Sequence, residues 1–412
     1  MPKVSRYFTR AWVTVGLLAI VACLNYLDRV MLTTMHKSIV AAMPMTEAQF
    51  GLLTSVFLWV YASLSPFAGF LADRFSRSRV IIVSLFVWSF VTWLTGQTTN
   101  FHELLIVRAI MGISEACYIP AALALIADFH RGSTRSLATG IHMVGISVGS
   151  ALGGLGGWLA DNHPWSYAFS LFGGIGLAYA VVLMLSLRDA PKAPVPVTEF
   201  APIIDKARFK PALVSLFSQR AFLFALLYWG LLGLSGWAFV GWMPTYFLEH
   251  FHMTQGEAGL VSTPYITPMA WLGLIVGGAW ADHWSKKNER GRIYVPAIGH
   301  CLSAPIVILA VMTNHLPVAV GLLAINAFAA QFSNANMMPI LCMVSDEKYR
   351  ATGYGILNFF SCAVGGLAIY LGGALRDMNI PVSVMFEAAA VSMLMCAGLL
   401  MLIRPQKAAK AT

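Results

Sequence analysis

Twelve apolar stretches, separated by short polar segments, constrain this chain more than any other feature. Each is near the length of about 20 residues that a helix needs to cross a bilayer. In lipid the backbone must satisfy its own hydrogen bonds, so stretches of this kind read as helices. The spans are expected at residues 9–36, 47–72, 79–98, 101–128, 134–160, 164–187, 220–248, 256–282, 292–313, 317–344, 350–376 and 381–403. Of the 412 residues 58% are hydrophobic and 11% charged, with a mean hydropathy of +0.71. A soluble domain carries about 25% charged residues. Ordinary soluble enzymes, disordered chains and secreted disulfide scaffolds are therefore excluded. The stretch from Arg188 to Gln219 contains Pro191, Pro194, Pro196, Pro202 and Pro211 with five basic and three acidic residues. It reads as a cytoplasmic linker (188–219) between two six-helix bundles, 1–187 and 220–412.

The net charge of +9 would suit nucleic acid, but in a membrane chain basic residues collect in cytoplasmic segments. With the N-terminus placed inside, 23 of the 27 Lys and Arg fall in inside segments. Lys37 and Arg376 lie near outside ends, and Arg29 and Arg108 lie within spans. Both termini are thus expected in the cytoplasm, and the charge needs no nucleic acid. Lys3, Arg6 and Arg10 precede the apolar run from Ala11 to Leu27 as in a secretory signal, but no small-residue cleavage site follows, so the run is kept as a membrane helix. The cysteines (Cys23, Cys117, Cys301, Cys342, Cys362 and Cys396) lie in apolar stretches without CxxC spacing and read as small hydrophobic residues.

A repeat is superimposed on the hydropathy. Gly-x-x-x-Asp closes spans 2, 5, 8 and 11, as Gly69–Asp73, Gly157–Asp161, Gly278–Asp282 and Gly373–Asp377. Arg135 with Gly140 is echoed by Arg350 with Gly355 at the starts of spans 5 and 11. One three-helix unit used four times is the pattern of a carrier whose halves rock about a central site.

Gly69-Phe-Leu-Ala-Asp73-Arg74-Phe-Ser-Arg77-Ser-Arg79 resembles the signature loop of the major facilitator superfamily, with Ser76 where glycine is usual, and Gly278 to Lys287 resembles a weaker second copy. The resemblance covers nearly the whole chain and implies an all-α fold of twelve transmembrane helices in two six-helix bundles, working by alternating access. Small residues there allow close helix packing, while Asp73 and Asp282 with the basic Arg74 and Arg77 would form a latch that breaks as the halves rotate. Simple anchoring by positive charge accounts for Arg77 and Arg79 equally well. Three further strings, Asn25-Tyr-Leu-Asp28-Arg29, Arg108 to Glu115, and Asn358 after Gly353-Tyr-Gly355, look like the anion:cation symporters of sugar acids, hexuronates and sialic acid. The first two are equally similar to the Spinster branch, which moves lysolipids.

Charges in the bilayer interior are costly and mark function by default. Asp28, Arg29, Arg108 and Glu115 are that set. Arg108 and Glu115, seven apart, share a face of span 4 but sit roughly 10 Å apart along it, so each needs a partner elsewhere. Asp28 and Arg29 point about 100° apart. The economical arrangement pairs Asp28 with Arg108 and turns Arg29 and Glu115 toward the central cavity. A buried carboxylate that loses its cationic partner favours its protonated form, which makes Asp28 and Glu115, with Arg108, the candidates for proton coupling. Arg29, a planar fork of donors that stays charged, suits a substrate carboxylate or phosphate. A purely structural Asp28–Arg108 pair is the competing reading.

Tyr26, Tyr118, Trp237 and Tyr265 fall on helices that line the cavity in this fold and join the candidate substrate-binding set with His142, Asn334 and Asn358. The resemblance places Asn358 at substrate hydroxyls; a helix-to-helix hydrogen bond is the alternative. The glutamine expected near Ile146 in sugar-acid carriers is missing, which counts against a polyhydroxylated substrate. No HExxH, nucleotide-binding or metal-spaced motif is present. The reading is therefore a carrier and not an enzyme: a proton-coupled symporter of a small organic anion, without cofactor or metal. It is expected to be monomeric, surrounded by membrane lipids in a bacterial inner membrane. The alternative is a Spinster-like, proton-linked exporter of lysolipids or other amphipathic molecules.

Overall fold

The structure, a computed structural model, describes residues 2–130, 134–191, 209–346 and 349–404, with the backbone alone at 2–8, 66, 68–73, 135, 136, 209, 210 and 351. The described residues form helices and connecting turns with no strand. In order these are α1 (Pro2–Thr34), α2 (His36–Ala42), α3 (Glu47–Arg74), α4 (Arg77–Thr95), α5 (Phe101–Ala116), α6 (Tyr118–Phe129), α7 (Arg135–Leu152), α8 (Leu155–Asn162) and α9 (Trp165–Ser186). There follow α10 (Phe209–Phe217), α11 (Arg220–His250), α12 (Gln255–Ser262), α13 (Thr267–Ser285), α14 (Gly291–Met312), α15 (Leu316–Val344), α16 (Arg350–Asp377) and α17 (Val382–Leu402). Among the described residues, 12 helical segments are long and apolar enough to cross a membrane, and they fall on the twelve expected spans. Within the expected linker the structure places one short helix, α10, while residues 192–208 lie outside the described residues.

Three spans are broken, each where local chemistry explains it. The fourth divides at Cys117, just before Pro120 in the first turn of α6. The fifth divides at Gly153 and Gly154, where glycine weakens the helix. The eighth divides across residues 263–266, where Pro264 lacks the amide a continuous helix would use, and Pro268 sits in the first turn of α13.

Helix ends are fixed by side chains as well. Ser76, the departure from the signature glycine, is the N-cap of α4: its hydroxyl accepts from the Arg79 amide at 3.4 Å. The same hydroxyl donates to Asp189 at 2.5 Å, and the Ser78 amide donates to the other Asp189 oxygen at 2.8 Å. Burial opposes ionisation of Asp189, but these hydrogen bonds, with Arg77 nearby, hold its carboxyl below the usual carboxylate range. Thr254 and Glu257 form a capping box at the start of α12.

Close packing follows the small residues. α1 lies along α7, where Gly145 and Gly149 let the backbone ride against Ala19 and Cys23; a Cβ at either glycine would meet a carbonyl oxygen. α3 lies along α16, across the two halves of the chain. There Ser55 donates to the Gly366 carbonyl at 2.6 Å and the Trp59 indole to the Ala363 carbonyl at 3.1 Å.

Candidate functional site

Asp28 and Arg29, near the end of α1, and Arg108 and Glu115, on α5, are all buried. The Arg29 Nε donates to Glu115 Oε2 at 2.7 Å. The guanidinium also lies over the rings of Tyr61 at 4.4 Å, Tyr26 at 4.7 Å and Phe57 at 5.0 Å. This sandwich holds a cation where hydration is lost.

The expected pairing is thereby corrected. Asp28 does not meet Arg108; it accepts from the Thr92 hydroxyl on α4 at 3.0 Å. Arg108 donates to the Leu53 carbonyl at 3.4 Å and to the Met111 sulfur at 3.0 Å, and lies over Phe57 at 4.9 Å. The adjacent Asp28 and Arg29 do diverge, but it is Arg29 that turns toward α5 and Asp28 that turns toward α4. Three oxygens, Asn25 Oδ1, Asp28 Oδ1 and Glu115 Oε1, and two guanidinium nitrogens, Arg29 Nη2 and Arg108 Nη2, are buried without a protein partner. Such groups are costly in a low dielectric, so the cluster is held short of its full hydrogen bonding.

Arg29 reaches a cavity of about 300 Å³ between the halves. Tyr26 and Val30 line it from α1, Ser147 and Ser150 from α7, and Trp237, Phe239 and Met243 from α11. Thr263, Thr267 and Trp271 close the far wall at the break between α12 and α13, and Gln331 comes from α15. Among the described residues, Arg29 is the one charged residue in this lining. Glu115 stands behind it, fully buried, as its counter-ion.

The other candidates divide. Tyr26 and Trp237 line the cavity. Asn334 is exposed and donates to the lining residue Gln331 at 2.8 Å, but is not itself in the lining. Tyr118 and His142 are fully buried outside the lining. Tyr118 donates to the Leu18 carbonyl at 2.7 Å and meets His142 Nε2 at 2.8 Å, which ties α6 to α1 and α7. Tyr265 is 66% exposed on the turn after α12, and Asn358 is half-buried on α16; neither is in the lining.

Of the expected latch, Gly69 and Asp73 are described in the backbone alone. Arg74 is exposed at the end of α3. Arg77 pairs with Asp128 and donates to the Ala124 carbonyl at 3.0 Å, and Asp282 pairs with Arg292 at 3.1 Å, both contacts within one half.

A set of charges that sequence reasoning left aside bridges the halves at the other end, here termed the outer end after the charge distribution. Arg376 on α16 donates to Glu47 at the start of α3 at 2.8 Å and, through both terminal nitrogens, to Glu249 on α11 at 2.7 and 2.6 Å. His36 meets Glu47 at 2.9 Å. Ser38 and Gln255 exchange two hydrogen bonds at 2.9 and 2.8 Å. The signal available in the sequence was Arg376, one of two basic residues near outside ends.

Twelve apolar helices and a cavity between two halves, walled by one ion-paired arginine, define an integral multi-pass membrane carrier. The chain belongs to the Major Facilitator Superfamily, whose sequence model matches residues 18–369 and again 249–411. It is 28% identical over 397 residues to "Protein spinster homolog 3" of Danio rerio, covering 89% of this chain and 77% of that protein. It is 26% identical over 369 residues to "Probable galactarate/D-glucarate transporter GarP" of Escherichia coli (strain K12), covering 83% and 82%. Among solved structures, a bacterial homologue of the human lysosomal transporter Spinster, in an inward-facing and unoccupied conformation, matches with a TM-score of 0.78. At 21% identity over 96% of this chain and 95% of that one, the likeness is one of fold.

Proposed function

We propose that this protein is a proton-coupled secondary transporter that moves a small organic anion across a bacterial inner membrane, as a single chain and without a cofactor. The observation that carries the reading is the Arg29–Glu115 pair at the cavity wall. While Glu115 is ionised it holds the Nε of Arg29 and neutralises the guanidinium. A proton on Glu115 removes that competitor, and Arg29 turns its donors to a carboxylate or phosphate in the cavity. Proton and anion thus favour each other's binding, which is the thermodynamic content of symport. Asp28, with one oxygen on Thr92 and one unpartnered, supplies a second proton-accepting group in the same buried cluster.

Cavity size bears on the substrate. About 300 Å³ is at the small end of ligand sites and suits a small anion; a lysolipid would extend beyond it. The second reading, a proton-linked exporter of lysolipids, is favoured by the apolar wall of Phe239, Val240, Met243, Trp271 and Leu274 and by the Spinster relatives. Uptake into proteoliposomes decides. An inward proton gradient should drive accumulation of labelled small carboxylates, sugar acids among them. Gradient-driven movement of a lysolipid with no response to small carboxylates would choose the second reading, and uptake of either that ignores the gradient would refute proton coupling.

A further inference from the structure

The three Gly-x-x-x-Asp copies whose side chains are described, at Gly157, Gly278 and Gly373, do different things, and the difference points to a function for two of them. At the outer end of α8, a Cβ on Gly157 would lie 2.7 Å from the Gln255 carbonyl oxygen and 2.8 Å from that of Thr34, so the glycine is seated on the first residue of α12. One turn later Asp161 accepts from the Gly256 amide at 2.8 Å. At the outer end of α16, Gly373 is seated on the first residue of α3 in the same way: a Cβ there would collide with the Glu47 carbonyl and lie 2.8 Å from the Ala48 Cα. Asp377, one turn on, accepts from the Glu47 amide at 2.8 Å and the Ala48 amide at 3.0 Å. In both copies the glycine brings one half's helix end onto the other half's helix start, and the aspartate caps the amides left open there. The copy at Gly278 makes no such seat: its nearest neighbour is the Ala335 Cβ at 3.8 Å, and Asp282 pairs within its own half.

We propose that Gly157 with Asp161 and Gly373 with Asp377 are paired clasps that hold the outer mouth shut, and that their joint release is the step admitting the cavity to the outside. The two are related by the internal repeat, each running from one half to the other in opposite sense. The halves rock as units, so neither clasp can open while the other remains closed. This makes the aspartates positioning residues of the transport cycle, whatever the substrate and whichever group carries the proton.

Hydrogen exchange on the full-length protein in lipid nanodiscs tests this, because the capped amides are themselves the reporters. Asp161→Asn keeps the shape but removes the charge on its cap. It should raise exchange roughly tenfold in the peptide around Gly256 and, through the coupled opening, in the peptide around Glu47 and Ala48 as well. Asp377→Asn should do the same in reverse, and Gly373→Ala should open both by unseating the helix. Asp282→Asn, the same change in a copy that does not cross between halves, should leave both outer peptides unchanged. A rise confined to the mutated clasp's own peptide would overturn the coupling. A rise spread equally over the buried helices of both halves, or one seen equally in Asp282→Asn, would overturn the clasp itself.

Discussion

At the residue scale the four intramembrane charges were legible in the sequence, but their partners were not. Asp28, Arg29, Arg108 and Glu115 stand out because few charges occur inside apolar stretches. Which of them meet depends on the rotation of α1 against α5, and that rotation is set by side-chain packing that a one-dimensional pattern does not contain. The consequence is testable at Glu115. Glu115→Gln removes the titrating oxygen while keeping an acceptor for Arg29, so gradient-driven uptake should fall at least about tenfold while substrate exchange across equilibrated vesicles persists. Unaltered coupling would end the assignment. Glu115→Ala leaves a buried guanidinium without its counter-ion, a loss of about 3 kcal/mol or more, so its melting temperature should fall below that of Glu115→Gln. Tyr118 tests the opposite case. It was an expected substrate residue, but its hydroxyl is spent on Leu18 and His142. Tyr118→Phe should therefore cost about 1 kcal/mol of stability and leave the KM for transport unchanged.

At the element scale, span positions were legible because length and apolarity fix them, whereas the breaks in spans 4, 5 and 8 were only hinted at by Pro120, Gly153, Gly154 and Pro264. Ser76 is instructive. It stands where the family loop usually has glycine, and in the structure it starts α4 and holds Asp189. Since the folded-state value of Asp189 lies below its unfolded one, the tie contributes stability at neutral pH and loses it as pH falls below about 4. The group is solvent-accessible, so the contribution is at most about 1 kcal/mol. Asp189→Asn should lower the melting temperature slightly at pH 7, and the gap from wild type should close toward pH 3. Packing of α1 on α7 makes a stronger demand. Gly149→Ala places a methyl against the Cys23 carbonyl, and overpacking of this kind costs about 1–3 kcal/mol, readable as a lower melting temperature in detergent.

At the scale of the whole molecule, the internal repeat was legible and its use was not. Nothing in the four equivalent motifs tells which of them crosses between halves, because that depends on the conformation the carrier adopts. In this conformation the outer seam combines glycine seats, aspartate caps, the Ser38–Gln255 pair and the Arg376 bridge to Glu47 and Glu249. The bridge differs from the caps in one respect. Glu47 comes from one half, while Arg376 and Glu249 come from the other, so removing the cation leaves two carboxylates facing each other across a seam that must close. Arg376→Ala should therefore do more than weaken an attraction; it should convert the seam to a repulsive one and bias the molecule toward an open outer mouth. Spin labels at the exposed outer-end positions Gln97 and Asn314 report the separation of the halves directly. In Arg376→Ala the distance distribution should gain a longer component, and the further change Glu47→Gln should restore much of the short one by relieving the repulsion. If Arg376→Ala left the distribution unchanged, the bridge would be an ornament of the closed state and not one of its causes.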